Sequence, residues 1–90
     1  MYRLLITEEF DKELRKITNR DRLAIEKKIL EYLAPQIKQE PHNGPNIKKL
    51  RNYNPERWRY RIGRYRLFYM IDENELLVSF VSIDQRKDAY

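Results

Sequence analysis

The sequence predicts an α+β fold: two N-terminal helices packed on one face of a small, mainly antiparallel β-sheet, in the order strand-helix-helix-strand-strand-strand. Two observations carry this prediction. Apolar residues recur at helical spacing as far as Leu33, and from Arg57 onward they recur at every second position. Helices segregated from strands in this way close into a two-layer sandwich. A chain of 90 residues is expected to form a single domain, 1–90, because a compact core uses most of that length.

Tyr2 to Ile6 is a β-prone run. Thr7 follows as an N-cap, with Glu8 and Glu9 placed to favour the positive end of a helix dipole. Phe10, Leu14 and Ile17 give the first helix one apolar stripe. Thr18 and Asp21 have capping-box spacing, and the second helix carries Ile25, Ile29 and Leu33 on a stripe that Leu23 and Leu30 widen. Pro35 should end or kink this helix after Ala34, with a short continuation from Pro35 to Gln39 as the alternative. Pro41, Gly44 and Pro45 mark a loop.

Trp58, Tyr60 and Ile62 alternate with Arg57, Arg59 and Arg61. After a turn at Gly63, Tyr65, Leu67, Tyr69 and Ile71 alternate with Arg64, Arg66, Phe68 and Met70. Two strands joined by a tight turn place the arginines on one face and the aromatic and aliphatic residues on the other, so Tyr65, Tyr69 and Trp58 read as core. Asp72 to Glu75 is a second turn. Leu76 to Ile83, apolar on both alternations apart from Ser79 and Ser82, predicts a central strand covered on both sides.

The net charge of +5 is unevenly placed. Between Gly44 and Arg66 there are eight basic residues and one acid, Glu56, a net of +7; the rest of the chain holds 11 basic and 13 acidic groups, a net of −2. Aromatic residues interleave the arginines, a pattern suited to a polyanion. The absence of Cys excludes disulfides and thiolate metal sites, and fits a cytoplasmic setting. No apolar run approaches the roughly 18 residues of a membrane span. The basic segment offers one carboxylate, and the single His42 lies in a Pro/Gly loop, so neither a metal-dependent nor a paired-histidine mechanism has the residues it needs. No cofactor is expected. The constellation left is a sheet face lined with Arg59, Arg61 and Arg66 and bordered by the C-terminal tail.

The stretches KKLRNY, WRYRIGRYRLFYMID and VSFVSIDQRKDAY, in this order after two amphipathic helices, resemble the RelE/ParE superfamily of toxins from type II toxin–antitoxin systems. In its RelE branch the resemblance implies ribosome-dependent cleavage of mRNA in the A site. Arg59 and Arg61 match the two basic positions before the turn, where the best-known members carry Lys, and the turn at Gly63 is shorter than theirs. Arg66 matches the Arg of the Tyr-Arg-Leu strand, Arg86 the Arg after the last strand, and Tyr90 the tail Tyr. These correspondences make Arg61, Arg66, Arg86 and Tyr90 the candidate catalytic residues. Lys48, Lys49, Arg51, Arg59 and Arg64 are the candidate RNA-binding residues.

RNA supplies its own nucleophile, the 2′-OH, so a metal-free cut needs in-line geometry, a base, a donor to the leaving 5′-oxygen and charge stabilisation. Arg61 and Arg66 would grip the scissile phosphate. Arginine stays protonated and makes a poor base; Tyr90 is the candidate base, and Arg86 the group beside the leaving oxygen. The partners expected are the ribosome with its mRNA and a cognate RelB-like antitoxin, acidic and amphipathic, that covers the arginine face and the apolar helix edges. Two other readings stand beside this one: a ParE-like inhibitor that binds DNA gyrase, and a non-catalytic RNA-binding module.

Overall fold

The computed structural model describes residues 1–85. Strand β1 (Arg3–Ile6) leads into helix α1 (Glu8–Arg15), then α2 (Asn19–Lys28), a π-helical segment (Ile29–Leu33) and α3 (Ala34–Gln39). Four strands follow: β2 (Ile47–Lys49), β3 (Trp58–Ile62), β4 (Tyr65–Asp72) and β5 (Leu77–Gln85). The sheet has five strands in the order β1-β5-β4-β3-β2. β1 runs parallel to β5 and every other pairing is antiparallel. The expected order of elements lacked β2, because three residues in a cationic stretch carry no alternation; β2 exists through its pairing with β3.

Thr7 caps α1 by accepting the Phe10 N–H at 3.2 Å, and its own hydroxyl donates to the Phe80 carbonyl at 2.8 Å. One side chain thus starts the helix and fastens it to β5. Thr18 caps α2 through the Asp21 N–H. Pro35 does not end the helical stretch. The preceding turn widens, with the Ala34 N–H reaching back five residues to the Ile29 carbonyl, and α3 then takes Pro35 near its start, where its missing N–H costs little. The stripe predicted for the second helix, which runs through α2 and the π-helical segment, is narrower than expected: Ile25 and Leu33 are buried, while Leu23 and Leu30 are 62% and 75% exposed.

The core lies between the helices and one sheet face, where Phe10, Leu14, Ile25, Leu33 and Ile37 meet Trp58, Tyr60, Leu67, Tyr69, Val78 and Phe80. Phe80 sits against both Phe10 and Tyr69, with ring centroids 5.8 and 5.0 Å apart. Buried tyrosines place their hydroxyls on the helical layer and the loop that follows it. Tyr60 donates to Gln36, Tyr65 to Asp21 and Tyr69 to the Pro41 carbonyl, at 2.8, 2.7 and 2.7 Å. Each is aromatic bulk inside and a satisfied polar tip at the layer boundary.

β5 departs from strict alternation. Phe68 pairs with Ser82 but Tyr69 pairs with Phe80, so Val81 is an extra residue. The bulge lets Val78, Phe80 and Ile83 all face the core and turns Ser82 and Asp84 to the opposite face. It also explains why this strand reads as apolar on both alternations. β5 is internal in the sheet, yet only its helix-side face is fully covered; Ser79, Val81 and Ser82 are half-buried. Beyond Phe80, β1 has run out, and the Glu13 carboxylate takes up the Ile83 N–H at 2.9 Å.

Candidate nucleic-acid interface

Cross-strand partners share a face, so the register fixes which cations stand together. Lys48 pairs with Arg59 and Arg59 with Phe68; Arg61 pairs with Arg66, and Arg66 with Asp84. Lys48, Arg59, Arg61 and Arg66 therefore form a cationic ladder across β2, β3 and β4 on the face away from the helices. Two like charges directly opposite, Arg61 and Arg66, are unfavourable by themselves, and three contacts relieve them. Arg66 makes a bidentate pair with Asp84, Nε to Oδ1 at 3.1 Å and Nη2 to Oδ2 at 3.2 Å, and its guanidinium lies 5.7 Å from the centre of the Phe68 ring. Arg61 folds along its strand so that Nε donates to the Gly63 carbonyl at 3.2 Å.

The other predicted RNA-binding residues lie elsewhere. Lys49 pairs with Trp58, so it projects on the helix side of the sheet; its ammonium lies over the Trp58 ring at 5.6 Å and is bridged to Glu56 at 2.6 Å. Arg51 is exposed in the turn after β2, and Arg64 lies in the β3–β4 turn. Arg57, whose alternation put it with the ladder, stacks on Tyr53 at 5.4 Å. Arg86 and Tyr90 lie outside the described residues. The residue that sequence reasoning missed is Asp84, whose signal was hidden because strict alternation turns it away from Arg66.

Two core tyrosines, Tyr65 and Tyr69, are unsuited to act as bases. Hydrogen bonding to Asp21 raises the Tyr65 phenol above its usual range, and burial raises Tyr69 further. His42 stands apart from the ladder, at the Trp58 end of the core, with Nδ1 3.0 Å from Glu40 Oε1 and Nε2 2.5 Å from Glu73 Oε2. Burial opposes its protonation, but the hydrogen bonds to Glu73 and Glu40 outweigh it and raise the imidazole pKa. Among the described residues no three His, Cys, Asp or Glu side chains are grouped to hold a metal ion, and no helix is long and apolar enough to cross a membrane.

Comparison with solved structures gives full-length likenesses. The chain is 26% identical to a chain of the RelBE2 toxin–antitoxin complex from Mycobacterium tuberculosis, with a TM-score of 0.72 and coverage of 94% of this chain and 98% of that one. It is 25% identical to a chain of the intact Escherichia coli RelBE complex, at a TM-score of 0.69 and coverage of 97% and 99%. A RelE–RelB complex from Pyrococcus horikoshii OT3 has the same fold, at 21% identity, a TM-score of 0.74 and coverage of 98% of both chains. No curated protein sequence gives a significant match. The family model for the ParE toxin of type II toxin–antitoxin systems matches residues 4–90, and with that match over nearly the whole length the chain belongs to this toxin family, within the RelE/ParE superfamily.

Proposed function

We propose that this toxin is a RelE-type endoribonuclease that cuts mRNA in the ribosomal A site. The observation that carries the reading is the ladder of Lys48, Arg59, Arg61 and Arg66 on one open sheet face. A guanidinium has five N–H donors, and Asp84 engages Arg66 only through Nε and Nη2. The remaining donors of Arg66, with those of Arg61 opposite, suit a phosphate whose single negative charge rises to two in the pentacoordinate state. In the step we propose, the 2′-oxygen attacks the adjacent phosphorus. The P–O2′ bond forms as the P–O5′ bond breaks, leaving a 2′,3′-cyclic phosphate and a 5′-OH. Tyr90, as its phenolate, takes the 2′ proton, and the departing 5′-oxygen, stabilised by Arg86, takes a proton from water to become the 5′-OH. The ladder itself carries one ammonium and three guanidiniums and no carboxylate or imidazole to act as base, so the ribosome supplies in-line geometry and free RNA is cut slowly.

The toxin class and the RelB–RelE complexes among its structural likenesses support a RelB-like antitoxin as the cognate partner. Leu23, Leu30 and Tyr32 are exposed on the helical layer and give such a partner apolar anchors. A second reading, a ParE-like inhibitor of DNA gyrase, is favoured by the family model that matches the chain. Purified toxin is to be incubated with programmed ribosomes and, separately, with gyrase. Cuts within the A-site codon that vanish in Arg61→Ala and Arg66→Ala variants are the expected result. Intact mRNA together with blocked supercoiling would overturn the proposal in favour of the second reading.

A further inference from the structure

The cations do not stop at the ladder. Two cavities flank the β3–β4 tip on the side facing α2. One, of about 350 Å³, is lined by Lys28, Tyr32, Asn46, Tyr60, Arg61, Ile62 and Gly63. The other, of about 410 Å³, has Arg20, Lys28 and Arg64 on its walls and Ile25, Ile62 and Tyr65 beneath. They share Lys28, Ile62 and Gly63 and so form one groove around the tip. Arg61, bent toward Gly63 by its bond to that carbonyl, joins the groove to the ladder.

Charge and shape in this groove point to one ligand. Arg20, Lys28 and Arg64 take part in no salt bridge among the described residues. Asp21, the one acid in either lining, accepts the Tyr65 hydroxyl. Tyr32 is 62% exposed beside Lys28, a ring with an open face next to a cation. A Cβ added at Gly63 would meet nothing within 4 Å, so the lip between the cavities is open. Cationic walls beside an exposed aromatic ring suit single-stranded nucleic acid, whose phosphates follow the charges while a base stacks on the ring.

We propose that this groove is a second RNA subsite: the strand held on the arginine ladder turns around the β3–β4 tip at Arg61, stacks a base on Tyr32, and lays its phosphates against Lys28, Arg64 and Arg20. The inference rests on the RNA-cleaving reading and extends the site from a phosphate clamp to a track several nucleotides long. It gives roles to Arg20, Lys28 and Tyr32, which the ladder does not use.

The test is fluorescence anisotropy with single-stranded RNA of about 3 and about 12 nucleotides, one shorter than a typical single-strand site and one within its range. The wild type is expected to prefer the longer strand. In a Lys28→Ala/Tyr32→Ala variant the long-to-short affinity ratio should fall about tenfold, the equivalent of one lost base stack. The log–log salt slope for the long strand should become shallower by about 0.7, one phosphate contact. A Lys12→Ala/Lys16→Ala variant on α1, outside both cavities, should keep the wild-type ratio. An unchanged ratio in the first variant, or an equal fall in the second, overturns the subsite while leaving the ladder intact. Wild type that binds neither RNA overturns the groove, and intact mRNA on programmed ribosomes is the separate result that removes the RNA-cleaving reading. Lys28 and Tyr32 are exposed, so their loss should leave the melting temperature unaltered.

Discussion

Arg66 and Asp84 face each other across β4 and β5 as a two-point ion pair, at 3.1 and 3.2 Å, because the extra residue Val81 turns Asp84 onto the arginine face. Both side chains are partly exposed, at 39% and 50%, so the pair contributes little to stability, within about 1 kcal/mol for surface pairs. Its larger effect is electrostatic: the carboxylate offsets one of two opposed guanidiniums.

Asp84→Asn should therefore tighten single-stranded RNA binding several-fold at low salt and leave the denaturation midpoint nearly unchanged. Arg66→Ala should weaken binding and abolish ribosome-dependent cuts. Anisotropy titrations across a salt series check both. Weaker RNA binding by Asp84→Asn would mean that the carboxylate holds Arg66 in place rather than competing with phosphate.

The His42 cluster should make stability depend on pH. A neutral imidazole has one N–H, yet both ring nitrogens face carboxylates, so the folded state favours the imidazolium. Its folded pKa is raised, so its contribution is complete below about 6.5 and fades as pH rises through the folded value. Glu40 is held low by its hydrogen bonds to His42, and Glu73 by those to Tyr2 and then His42; their contributions are present above about 4.3 and fade as pH falls through their folded values. Thermal melts should peak between these limits, and His42→Gln should flatten the alkaline side. Trp58, 5.3 Å from the imidazole, is the chain's single tryptophan, so its fluorescence gives a second reading of the same titration.

Gly63 carries φ +57°, while Arg64 after it has an ordinary φ, the pattern of a two-residue turn with glycine first. Gly63→Ala should cost about 1–2 kcal/mol through the left-handed backbone alone, since space for the methyl is open. Urea denaturation measures this directly, and a loss under about 0.5 kcal/mol would mean that the turn rearranges.

Phe80→Ala should remove about 3–5 kcal/mol, a large part of the roughly 5–15 kcal/mol available to such a domain, because the ring is 1% exposed and contacts both Phe10 and Tyr69. By contrast Leu23→Ser/Leu30→Ser should leave the urea midpoint within about 0.5 kcal/mol per site. If these leucines anchor the antitoxin, the same variant should weaken the complex in a pull-down with the cognate partner.

The sequence by itself determined the helical pair with its threonine caps, the β3–β4 hairpin around Gly63 and the segregation of arginines from aromatics. Each depends on residues close in the chain, where period, cap and turn chemistry act locally. It also determined that the excess charge is one strip, and the family resemblance followed from that strip in its order. Only the tertiary structure decided which cations stand together. Lys48 and Lys49 are neighbours in sequence, yet pairing with Arg59 and Trp58 sends them to opposite faces. Pro35, ambiguous in sequence, was settled by a wider helical turn before it. Leu23 and Leu30 stay exposed because the core closes on Ile25, Leu33 and Ile37 instead, a choice that periodicity does not carry. Asp84 met Arg66, and Ile83 entered the core, through one extra residue in β5: a bulge reverses the face of every residue after it, and its position is fixed by the packing of Phe80 and Ile83 against the helices rather than by any local preference of the chain.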